Sequence, residues 1–214
     1  MKKLLTLFSL LISNVMSGCV ESIYNKGDAI LLDERGIPMK CQPMLNQSRN
    51  PPAMPMISTA PTQILRYYNP RDIDYFYTQD PSEMGFMGKP PYFYQLIAFR
   101  LHQRAMPGLT RIYRYYSAVH KDHFYTTDPK EIGIIRIGQI GNYGYKREKD
   151  LGWAEKTAAK GLLAIHRFYQ PRVKSHFYTT RIEDVSGGKR NMTIGAEGKN
   201  GYVYEGILAY AHPA

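Results

Sequence analysis

The sequence predicts a closed all-β body built from three related units of about fifty residues, behind an export signal and a proline-rich spacer. Three observations predict it. One block recurs as Leu65-Arg66-Tyr67-Tyr68, Tyr113-Arg114-Tyr115-Tyr116 and His166-Arg167-Phe168-Tyr169. Nine residues after each arginine comes a second block: Tyr75-Phe76-Tyr77-Thr78, then His123-Phe124-Tyr125-Thr126, then His176-Phe177-Tyr178-Thr179. A glycine-rich block follows in two units, where Ile137-Gly138, Gly141 and Gly144-Tyr145 match Ile194-Gly195, Gly198 and Gly201-Tyr202 in spacing. The arginines lie 48 and 53 residues apart and the last unit runs 47 residues further to Ala214. The units therefore fall at about 61–107, 108–160 and 161–214, in one domain of residues 61–214.

The N-terminal 18 residues read as a signal peptide. Met1-Lys2-Lys3 is a positive start, Leu4 to Ile12 is apolar apart from Thr6 and Ser9, and Ser17-Gly18 supplies small residues for cleavage. The apolar run is shorter than the roughly twenty residues a membrane span needs. Met16-Ser17-Gly18-Cys19 resembles a bacterial lipoprotein cleavage box, although Met16 stands where leucine is usual. Two outcomes stay open: Cys19 becomes a lipid-bearing first residue, or the chain is simply secreted and Cys19 pairs with Cys41. Residues 19–60 form an N-terminal segment and linker. Asp33-Glu34-Arg35-Gly36 could turn a hairpin, and Cys41 to Ala60, with Pro43, Pro51, Pro52 and Pro55, reads as a semi-rigid spacer.

Within each unit, Leu109 to Tyr116 and Asp122 to Thr127 read as strands joined by a turn, and Tyr202 to Tyr210 as a later strand. Alternation puts Phe124 and Thr126 on one side and His123 and Tyr125 on the other, which makes Phe76, Phe124 and Phe177 the expected core. Asp128-Pro129-Lys130-Glu131 before Gly133 predicts one capped helical turn. Asp80-Pro81-Ser82-Glu83 before Gly85 repeats it, and Thr180-Arg181-Ile182-Glu183 keeps a capping pair without the proline. The recurrent glycines read as turn residues with positive φ.

These blocks (R-Y-Y, then H-F-Y-T-T-D-P-x-E-I-G, then G-Y-x-Y-E-G) resemble a repeat family of unknown function found in secreted and surface proteins. The resemblance covers about residues 60 to 214 and is strongest from Tyr113 to Gly133. It implies a β-trefoil and, by analogy with that fold alone, a lectin-like role. The first unit departs from the pattern: it has Tyr75 for histidine, lacks the glycine-rich block, and reads Gln95-Leu96 where the third reads Glu205-Gly206. A site in that unit is expected to be degenerate.

Threefold polar residues argue against catalysis, which needs one asymmetric constellation. His123 beside Asp122, and His176 beside Ser175, lack a third member for nucleophilic chemistry. Glu83 and Glu131 read as capping residues more readily than as paired glycosidase carboxylates. No ligand set recurs beside the histidines, so no metal and no cofactor are expected. Aromatic faces with neighbouring hydrogen-bonding groups make a shallow glycan site conceivable. Its candidates are Asp122, His123 and Tyr125, with Ser175, His176 and Tyr178 as a second copy, and Trp153 and Tyr210 as platforms. The alternative for each is strand packing.

The chain of 214 residues carries 28 Lys+Arg against 18 Asp+Glu, a formal +10, or 10 − 2 = +8 without Lys2 and Lys3. Export and the absence of a sustained basic cluster weigh against nucleic acid and for acidic glycans or a cell-surface polymer. The expected module is secreted or extracytoplasmic, non-enzymatic and carbohydrate-binding, touching membrane only through a lipid on Cys19. The competing expectation is a structural or protein-interaction domain using a loop such as Ser186 to Asn200. Asn46 and Asn191 fit the N-glycosylation pattern.

Overall fold

The computed structural model describes residues 59–214. The signal peptide, Cys19, Cys41, Asn46, the Asp33–Gly36 turn and nearly all of the spacer lie outside the described residues.

The described chain is nearly all β, with nine strands in three consecutive sets. The first is β1 (Thr62–Asn69), β2 (Asp74–Thr78) and β3 (Phe93–Leu101). The second is β4 (Leu109–Ser117), β5 (Asp122–Thr126) and β6 (Tyr145–Glu155). The third is β7 (Leu163–Gln170), β8 (Ser175–Thr179) and β9 (Val203–Ala211). In each set the first strand pairs antiparallel with both others. Joining β6 to β9 gives a six-stranded sheet β5-β4-β6-β9-β7-β8 beside the three-stranded β2-β1-β3. Isolated bridges from Arg100 to His212 and from His102 to Trp153 tie the end of β3 to the other two units.

Each tight hairpin begins with a side chain that accepts a backbone N–H of its own loop: Asn69 from Arg71 at 3.0 Å, Ser117 from His120 at 3.2 Å and Gln170 from Arg172 at 2.9 Å. Each loop ends on a residue at φ 56°, Ile73, Lys121 or Lys174, which commits non-glycine residues to the left-handed region. The glycine block divides into two roles. Gly138, Gly144, Gly195 and Gly201 have positive φ, as expected. Gly141 and Gly198 are needed for closeness instead, because a Cβ there would lie 2.3 Å from the Ile132 carbonyl oxygen and 2.4 Å from that of Val185.

The core corrects the expected facing of the strands. β5 and β8 are buried at every position, so period two separates two interiors rather than inside from outside. Tyr77, Tyr125 and Tyr178 enter the central core with Ile64, Ile112 and Ile165, Phe99, Leu101 and Ala211. Phe76, Phe124 and Phe177 fill three smaller clusters, one within each unit. The short strands surround the common axis and are covered from both sides, which a sequence-local pattern does not register.

The helical turns are present, with an altered division of labour. Pro129–Glu131 forms a 3-10 turn and the Asp128 side chain accepts from Lys130 N at 2.9 Å. Asp80 does the same for Ser82 at 3.0 Å. The third unit has a short helix, Glu183–Ser186, without a side-chain cap. Thr179 accepts the Arg181 N–H and donates to Asp184 there. Glu83 and Glu131 do not close capping boxes; both reach across to the next unit.

Candidate functional site

One layer of polar contacts joins the three units in a ring and two more cross two of the three seams, and together they determine which side chains are available to a ligand. The innermost layer is the tyrosine triad. Tyr125 Oη accepts the Tyr77 N–H at 2.7 Å and donates to the Tyr77 carbonyl at 3.0 Å. Tyr178 repeats both bonds to Tyr125, at 2.8 and 2.9 Å, and Tyr77 repeats both to Tyr178, at 3.1 and 2.6 Å. The rings meet edge to face with centroids 5.2–5.7 Å apart. Burial pushes all three phenol pKa values up, so the hydroxyls stay protonated.

The second layer pairs an aspartate with the next unit's histidine. Asp74 accepts the His123 backbone N–H at 2.9 Å and faces its ring Nδ1 at 2.6 Å. Asp122 does the same for His176, at 2.8 and 2.6 Å. Tyr92 and Tyr145 donate to these carboxylates at 2.5 and 2.6 Å. Burial raises the Asp122 pKa, but the His176 charge and hydrogen bonds from the His176 ring, the Tyr145 hydroxyl and the His176 backbone outweigh it and hold it below the ordinary carboxylate value. Phe76 and Phe124 lie against the same imidazoles at 4.9 and 4.7 Å.

The third layer is an ion-pair latch. Arg114 donates to both oxygens of Glu83 in the preceding unit, at 3.0 and 2.8 Å, and to Glu148 of its own unit at 2.8 Å. Arg167 likewise donates to both oxygens of Glu131, at 3.0 and 2.9 Å, and pairs with Glu205 at 2.9 Å. Each guanidinium lies over the preceding unit's phenylalanine, at 4.7 Å for Phe76 and 5.2 Å for Phe124. These bidentate contacts account for the arginine of the second and third blocks.

Glu83 supplies a test of the latch. Burial raises its pKa, but hydrogen bonds from Arg114 and Thr78 and the Arg114 charge overcome that and lower it from 4.5 to about 2. A depressed folded pKa contributes stability that is present above the unfolded value and lost as pH falls. Urea denaturation should therefore show up to about 3 kcal/mol lost at this group between roughly pH 4.5 and pH 2. Glu83→Gln should remove that component of the pH dependence.

The seam between the third and first units keeps the tyrosine bonds but lacks the second and third layers. Tyr75 replaces histidine and packs on Phe177 at 4.7 Å, while Ser175 Oγ donates to the Ile73 carbonyl in place of an aspartate contact. Asp184 and Gln95 occupy the latch positions, and the buried Arg66 Nε has no hydrogen-bond partner among the described residues. The first unit's departures thus fall on the seam with the third, whereas Asp74 and Glu83 serve the seam with the second.

A cleft of about 530 Å³ opens between the second and third units. His176, Tyr169, Arg167 and Glu205 line it from the third, and His120, Phe124, Glu131, Tyr143 and Tyr145 from the second. Tyr169 lies 4.7 Å from the His176 ring, and His176 Nε2 faces Glu205 at 3.7 Å. Tyr143 stands at the rim, 72% exposed, on backbone at φ 57°. At the equivalent seam between the first and second units, Lys149 extends over Glu83 and Asp80, at 3.2 and 3.3 Å. Gly206 takes the place of Lys149 in the third unit and leaves the Arg167–Glu131 pair open to a neighbouring groove.

Of the ligand-binding candidates drawn from the sequence, only His176 lines this cleft. Asp122, His123, Tyr125, Ser175 and Tyr178 are 0–6% exposed and engaged in the inter-unit layers. Trp153 lies under the Arg111 guanidinium at 5.5 Å, and Tyr210 pairs in β9 with Ala164 and Glu155; neither joins the cleft. The sequence reading missed Arg167, Glu131 and Glu205 as partners, although the fixed arginine offset marked one end of the contact. His120 and Tyr143 carried no repeat signal, since Asp72, Val173 and Asn200 hold the matching positions.

No curated protein and no solved structure matches the chain. A family model does match, over residues 63–212, which takes in every strand from the second residue of β1 through β9. The chain belongs to the family described as Domain of unknown function (DUF5648).

Proposed function

We propose that the domain is a non-enzymatic, lectin-like binding module of β-trefoil type, and that the cleft between its second and third units holds a sugar. The observation that carries this reading is the lining of the cleft. It combines the aromatic surfaces of Tyr143, Tyr169 and Phe124 with hydrogen-bonding groups on His120, His176, Glu131, Arg167 and Glu205. Its volume falls within the usual span for small-ligand sites, about 300–1,000 Å³. Two carboxylates against one guanidinium favour an uncharged sugar here, so an acidic polymer attracted by the net charge would use the outer surface instead. Ser175 is out of reach as a nucleophile, because the residue is 1% exposed and its hydroxyl donates to the Ile73 carbonyl. The threefold ring supports the trefoil reading. The N-terminal signal supports export, with Cys19 as the lipid anchor where the cleavage box is used.

Tyr143→Asn tests the reading with little backbone cost, because Asn200 already occupies the equivalent position at φ 58°. On a glycan array at near-physiological salt, the full chain should give a defined neutral-sugar signal. Affinity should fall about 3- to 10-fold in the variant, the magnitude of one lost aromatic contact. An unchanged affinity would remove the cleft from the account.

A protein partner is a second reading, favoured by one observation. Ile135, Ile137, Ile140 and Val119 are 64–79% exposed around the second unit's glycine block. A protein retained by the chain in excess free sugar, and released by Ile137→Ser, would favour this reading.

A further inference from the structure

The cleft leaves unused a second set of threefold positions at the ends of the closing strands. The registers Thr62↔Leu101, Thr110↔Ala154 and Leu163↔Ala211 make the next residues of the three units equivalent. Those residues are His102, Glu155 and His212. The axis brings them together, one from each unit, with their donor atoms all within 4.8 Å of one another.

Two of the donor–donor spacings in this group are those of a coordination sphere. Zinc bound tetrahedrally at 2.0–2.1 Å requires ligand atoms about 3.3–3.4 Å apart. His102 Nε2 lies 3.3 Å from His212 Nε2 and 3.5 Å from Glu155 Oε1. The imidazole of His102 is also oriented for this role. Its Nδ1 lies 3.0 Å from the Thr59 carbonyl, which can only accept, so Nδ1 carries the proton and Nε2 is left as the lone-pair donor in the neutral ring. The His102 side chain is 11% exposed and that of Glu155 30%, shielded yet open to an entering ion.

We propose that His102, Glu155 and His212 bind one zinc ion, with the fourth position left for water, clasping β3, β6 and β9 on the axis. Two imidazoles and a carboxylate suit zinc better than magnesium or calcium, which take oxygen ligands. The expectation of no metal rested on positions beside His123 and His176, at the hairpins. The clasp uses a different threefold position, at the strand ends.

The test uses the full chain after dialysis against chelator, titrated with cobalt as a spectroscopic substitute and with zinc by calorimetry. The expected result is one equivalent bound, intense visible absorption of four-coordinate cobalt, and a thermal midpoint that rises with zinc. His212→Ala should abolish the cobalt band, and the shape-conserving Glu155→Gln should weaken zinc by more than about tenfold. Loss of the band in a still-folded Glu155→Gln would also support the site if His212→Ala failed to fold. A full-intensity band in both variants, or no zinc binding by the parent chain, would overturn the proposal.

Discussion

Asp122→Ala should cost about 3–5 kcal/mol of folding stability, the largest effect expected from a single polar side chain in the domain. The carboxylate is fully buried and receives the His176 N–H, the His176 ring and the Tyr145 hydroxyl. Truncation leaves three groups of two units without their acceptor, in a place where water does not reach them. Asp74→Ala should behave alike, because His123 and Tyr92 surround Asp74 in the same way. Urea denaturation at neutral pH, with the slope unchanged, would measure both losses. A loss below about 1 kcal/mol would show that solvent replaces the carboxylate and that the seam is looser than its 2.6 Å contacts indicate.

Tyr125→Phe removes one oxygen and keeps the ring. That oxygen satisfies both the N–H and the carbonyl of Tyr77, and the residue is 1% exposed. Two buried backbone groups would lose their partner together, which sets the expected cost at about 2–4 kcal/mol. Tyr77→Phe and Tyr178→Phe should fall in the same range, since each hydroxyl makes the equivalent pair of bonds. The three losses should not add, because each tyrosine is both donor and recipient within one network. A change of a few tenths of a kcal/mol would mean that the triad is held by ring packing alone.

The strands were legible because hydrophobic alternation and turn residues are local. Leu109–Tyr116 is expected where Leu109–Ser117 is found, and Asp122–Thr127 where Asp122–Thr126 is found. The repeat itself was legible because equivalent contacts demand equivalent residues. The partners of those residues were not. His123 pairs with Asp74 rather than its neighbour Asp122, 49 residues away instead of one. Likewise the Glu131 carboxylate serves Arg167 rather than its own cap, although the spacing fits a cap. In both cases an in-unit reading gave the correct residue type and the wrong recipient, because the ring of units is closed in space and not along the chain. The cleft was hidden for the opposite reason. It exists where the third unit has Gly206 in place of Lys149 and where Tyr143 and His120 stand alone, features that a search for sameness passes over.

The hand-over of contacts from each unit to the next bears on how the domain comes apart. In a linear array the terminal repeat touches one neighbour and can fray while the rest persists. Here the first and third units are themselves neighbours, through Tyr75 on Phe177 and the Arg100–His212 bridge, so the array has no free end. Melting any one unit strips partners from both others, and the weaker third seam cannot open into a stable two-unit remnant without sacrificing a tyrosine of the triad. The three copies, which look modular in sequence, therefore behave as one cooperative unit: fifty residues is the period of the domain, and about one hundred and fifty is its smallest folding size.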